Sequence, residues 1–123
     1  MNQPEQGLVG LRAALGAGVW VAPRLAGRLF GLDPKGNPQL PYVGRLFGVR
    51  DIALAYGLAT ATGSERAVWL RVGLACDLAD AAAGVLGRRS GALPKLATVL
   101  VTGTAIGAAG LGVAAMLGDD DSA

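Results

Sequence analysis

Residues 96–117, LATVLVTGTAIGAAGLGVAAML, run for 22 positions without an ionisable side chain. At a rise of about 1.5 Å per residue, a helix of roughly 20 residues crosses a hydrocarbon layer about 30 Å thick. Soluble bundles rarely contain such a run, because a helix that meets water keeps a polar face. Three more apolar stretches precede it, at residues 7–23, 42–61 and 67–87. All are long enough to span, the first provided that it continues to Leu29.

The breaks between stretches have recognisable chemistry. Asp33, Pro34, Gly36, Asn37, Pro38 and Pro41 follow the first, Gly63, Ser64 and Glu65 the second, and Arg88, Arg89, Ser90, Gly91 and Pro94 the third. Proline lacks an amide hydrogen and glycine tolerates left-handed backbone angles, so each cluster ends one helix before the next begins. The expected fold is all-α, a four-helix antiparallel transmembrane bundle with spans at about 7–29, 42–61, 67–87 and 96–117, in one domain covering 1–123. The leading MNQPEQG carries Glu5 and no basic residue, unlike the basic opening of a signal peptide, so the first span reads as a permanent helix.

Basic residues sort by side. Arg24, Arg28 and Lys35 lie between spans one and two, and Arg88, Arg89 and Lys95 between three and four. The opposite side holds Glu5, Glu65, Arg66 and the acidic tail Asp119, Asp120 and Asp121. Short loops rich in Lys and Arg resist translocation. The expectation is a bacterial cytoplasmic (inner) membrane protein with both basic loops inside and both termini outside.

Composition removes several functional classes. With no His and a single Cys, the chain cannot build a Ser/His/Asp triad, a His-ligated metal or haem, an iron–sulfur cluster or an internal disulfide. Nine of the eleven basic residues are Arg, but no aromatic residues interleave with them as a nucleic-acid platform requires. No cofactor, metal or nucleic-acid partner is therefore expected, and the partner that follows directly is the lipid bilayer. Cys76 reads as a packed thiol.

The charges inside the proposed spans are the feature with chemical content. Arg50 and Asp51 lie eight and nine residues in from the cytoplasmic edge of span two, and Asp80 and Asp77 seven and ten residues in on antiparallel span three, so the four share one level. Arg45 can snorkel or reach inward, and Arg12 and Arg71 read as shallow. Ionisable groups at mid-membrane mark ligand sites, relays or pathways by default, and Arg45, Arg50, Asp51, Asp77 and Asp80 form the candidate ligand or proton site. The bland alternative is an ion-paired network that fixes helix packing. Gly44 and Gly48, and Gly103 and Gly107, have the Gly-x-x-x-Gly spacing that lets helices approach closely, within the bundle or in a homo-oligomer. The Arg-Leu-Phe-Gly repeat at 28–31 and 45–48 is too short to indicate duplication.

The runs GRLFGVRDIALAYG and LACDLADAAAGVLGRRSGALPK, followed by the uncharged small-residue stretch, resemble an uncharacterised family of small four-helix bacterial membrane proteins, a domain of unknown function. More distantly they are similar to the DoxX-like superfamily, some members of which associate with redox enzymes. Gly48, Arg50 and Asp51 match that family's element opening the second helix, Asp77 or Asp80 its acidic element, and 88–91 its basic turn. The turn lacks the His often found there. The resemblance implies fold and membrane residence and supplies no activity. Two functions follow: a noncatalytic accessory or structural subunit of a membrane complex, or a small-solute, lipid or proton binding or transport module built on the Arg/Asp cluster.

Overall fold

The computed structural model describes residues 1–122, with the side chains of residues 1–118. The side chains of Asp119, Asp120 and Asp121, used above in the sidedness argument, lie outside the described residues. The chain forms five helices, α1 (Gln3–Val21), α2 (Pro23–Leu29), α3 (Leu40–Thr60), α4 (Ser64–Arg89) and α5 (Lys95–Ser122), with no strand among the described residues.

The first stretch departs from expectation at both ends. It starts four residues early, because the Asn2 side-chain oxygen accepts the Glu5 amide N–H at 2.9 Å and Pro4 suits a first helical turn. It is also broken, so the continuous helix expected over 7–29 is two helices. Proline disfavours the helical region for the residue before it, and Ala22 accordingly sits at φ −134°, ψ 67° before Pro23 starts α2. Gly31, at φ +79°, ends α2 in a turn whose Leu32 N–H donates to the Gly27 carbonyl at 2.8 Å.

α1 packs along α3, α4 packs along α5, and α1 also touches α5, whereas the α3–α4 seam is thin. The α1–α3 approach depends on paired glycines. A Cβ on Gly16 would lie 2.6 Å from the Gly48 carbonyl oxygen, and one on Gly48 would lie 2.8 Å from that of Gly16. The turn at 61–63 and both ends of the helical chain share one end of the bundle, where Asn2 Nδ2 donates to the Ala115 carbonyl at 2.9 Å. The connections holding Lys35 and Ser90 occupy the other, where Gly31 abuts the start of α5 at Ala97.

The polarity of the packing is inverted. Glu5 (1% exposed), Arg12 (4%), Asp51 (3%) and Asp77 (3%) are buried, while Leu29, Tyr56, Leu96 and Ile106 are more than half exposed. The apolar core is modest, centred on Leu8, Leu58, Leu70, Ala108 and Ala115. Among the described residues one helix segment, Lys95–Gly118 of α5, is long and apolar enough by composition to cross a membrane.

Candidate functional site

Two layers of buried charge cross the bundle. Near the chain ends, Glu5 of α1 accepts from Arg66 Nε at the start of α4. Deeper in, Arg12 of α1 makes a two-pronged pair with Asp77 of α4, Nη1 donating to Oδ1 at 2.9 Å and Nη2 to Oδ2 at 2.7 Å. Arg50 of α3 does the same with Asp80 of α4, its Nη1 donating to Oδ1 at 3.1 Å, and it lies 4.9 Å from the centroid of the Phe47 ring. These fork-on-fork pairs are the strongest geometry available to guanidinium and carboxylate.

The local sequence makes room for them. Asp77 and Asp80 are three apart on α4, so they share its inward face. Gly73, one turn before Asp77, is buried, and a Cβ there would come within 2.8 Å of Arg12 Nη2. The missing side chain is the space in which the guanidinium lies.

Asp51 is the carboxylate left over. Neither of its oxygens accepts a hydrogen bond among the described residues, and its nearest cationic atoms are Arg50 Nη2 at 3.9 Å and Arg12 Nη1 at 4.0 Å. Its side chain is nevertheless only 5% exposed. The cluster therefore contains two guanidiniums and three carboxylates, and each guanidinium is already committed to a different aspartate.

A cavity of about 330 Å³ ends on this cluster, with Arg12, Asp51, Asp77 and Asp80 on its floor. Its walls are apolar, including Leu15, Val19, Phe47, Val101 and Ala105, and it extends toward Phe30 and Leu93 at the basic-loop end. Exposed Val43 of α3 and Ala83 of α4 border it, which puts its mouth at the thin α3–α4 seam. The carboxylates do not converge as ligands of one ion: among the described residues no group of three potential metal ligands does.

Of the candidate residues, Arg50, Asp51, Asp77 and Asp80 come together. Arg45 does not. It is exposed and its Nε donates to the Trp20 carbonyl at 3.1 Å, beside the α1–α2 break. Arg12, expected to be shallow, is central. With the helix starting at Gln3 it stands near the middle of α1, whereas a start at Gly7 makes it shallow and hides its place across from Asp77. The Asn2-to-Glu5 capping spacing was the available signal, and it would also have drawn Glu5 into the helix. Gly44 and Gly48 of α3 lie against α1, at Val19 and Gly16. Gly103 and Gly107 have nothing within 4 Å of an added Cβ and face away from the bundle. Cys76 is half-buried and unpaired with another thiol.

Comparison of the chain with protein-family models, with curated proteins and with solved structures returned no match.

Proposed function

We propose that this is a noncatalytic four-span integral membrane protein of the bacterial cytoplasmic membrane, with both termini outside, whose Arg/Asp cluster and cavity form a binding site for a small membrane-soluble molecule. The observation carrying the membrane reading is the inverted polarity. Along α3 every exposed residue from Leu46 to Thr60 is uncharged, as is every exposed residue of α4 from Val72 to Leu86 and of α5 from Leu96 to Leu117, while Arg12, Asp51 and Asp77 are buried at those heights and exposed Arg71, nearer the 61–63 end, has a side chain long enough to reach toward the interface. Such an arrangement is costly in water and natural in lipid, where intramembrane charges face the interior and pair. The α1–α2 pair then serves as one broken span. Alkaline extraction should leave the protein in the membrane pellet, and cysteines replacing Lys35 or Lys95 should resist impermeant maleimide in intact cells. Release by alkali, or ready labelling at both positions, would sink the proposal.

The accessory-subunit reading has its own support on the outer face of α5. Gly103, Gly107 and Gly110 carry no neighbour, and Val99 and Ile106 beside them are exposed. Close helix approach through small residues is the common mode of association in lipid. Gly107→Leu should then break up any native complex in mild detergent without altering the isolated chain's helicity.

A further inference from the structure

The cavity floor has an imbalance of a definite sign. Arg12 and Arg50 are each held by their own aspartate, and Asp51 is left buried, unbonded and facing an apolar space. A buried ionised group without a hydrogen bond is expensive. A proton would neutralise it, and so would one positive charge with an N–H donor; the apolar walls beside it suit the second, carried on a hydrocarbon body. The volume, about 330 Å³, lies within the range of small-molecule sites.

We propose that the cavity binds a lipophilic amine: a protonated amino group donating to Asp51, with its hydrocarbon body along Leu15, Val19, Phe47 and Val101. Three observations converge on this class. The cluster carries two guanidiniums against three carboxylates, so its uncompensated charge is negative. Asp51 has acceptor capacity and no donor. The mouth between Val43 and Ala83 lies on the exposed apolar surface of α3 and α4, so a molecule dissolved in lipid reaches it sideways. An anion would meet three aspartates, and a hydrocarbon without a head group would leave Asp51 as it is. The proposal rests on the binding-site reading above, and its test on purified protein is independent of the membrane extraction.

The test is photolabelling of the detergent-solubilised full chain with decylamine carrying a chain-terminal diazirine, alongside the matching decanol and N-acetyl-decylamine probes. Label is mapped by peptide mass spectrometry, with Val99 and Ile106 on the outside of α5 reporting simple partition. The amine should label cavity-wall peptides at least about tenfold more than either neutral probe. Asp51→Asn, which keeps shape and removes the charge, should abolish most of that excess. Ala83→Phe, which narrows the mouth and leaves every charge in place, should abolish it too and serves as the second variant if Asp51→Asn fails to fold. Equal labelling by all three probes, labelling unchanged in both variants, or label confined to the outside of α5 would each overturn the proposal. A chain that is released by alkali but still labels at the cavity would overturn the membrane reading alone.

Discussion

Arg12 and Asp77 form the most deeply buried ion pair among the described residues, and its rupture has a calculable cost. Asp77→Leu takes both hydrogen bonds from a guanidinium 4% exposed and leaves it Asp51, 4.0 Å away, to turn toward, so the cost of a fully unpaired buried charge is an upper bound. Breaking a buried pair from one side costs about 3 to 5 kcal/mol. The Arg50–Asp80 pair is different, with Arg50 36% and Asp80 26% exposed. Asp80→Leu should cost distinctly less, because solvent or headgroups can take up the released charge. Thermal unfolding in detergent should rank the two in that order, and Arg12→Met combined with Asp77→Leu should recover much of the single-mutant loss. Equal losses at 77 and 80 would mean that burial does not govern the network.

At the scale of helices, glycine has two opposite uses here. Gly48→Leu must push α1 and α3 apart, since even one added carbon collides with backbone. Overpacking of that kind costs about 1 to 3 kcal/mol. Gly107→Ala meets nothing, and the helix preference of alanine over glycine is about 0.5 to 1 kcal/mol. The expected outcome is a lower unfolding temperature for Gly48→Leu and an unchanged or higher one for Gly107→Ala.

The same elements show what could be seen in advance. The positions of α3, α4 and α5 were legible because apolar runs bounded by Pro and Gly are local signals. The break at Ala22 is less legible, although Pro23 stands inside the first stretch, because the length needed to span argues for one helix. The partner of Asp77 was out of reach, since pairing across 65 residues depends on helix rotation, and a start placed four residues late moved Arg12 a full turn toward the surface. Gly44 and Gly103 had identical spacing and opposite environments, which spacing alone does not separate.

For the whole molecule, the decisive contrast is between an outer surface built for lipid and one built for water. Ile106 lies midway along α5 and is 58% exposed. In a water-soluble bundle Ile106→Lys would be harmless. In a bilayer a central lysine costs about 2.5 to 3.5 kcal/mol on insertion scales. The expected result is a reduced membrane-inserted fraction for Ile106→Lys, read by glycosylation-site mapping, with Leu117→Lys near the helix end much less affected. Equal insertion of both variants would argue against the lipid-facing assignment.

The charge pairs also impose a timetable on synthesis. Arg12 and its partner Asp77 are 65 residues apart, and at about 5 to 20 residues per second the second emerges roughly 3 to 13 seconds after the first. Arg50 waits 30 residues for Asp80. Until then the two arginines have only Asp51, 4.0 Å from Arg12 and 3.9 Å from Arg50, to share between them. A ribosome stalled before Asp77 should therefore hold α1 and α3 beside the insertion machinery, still unable to leave for the bilayer.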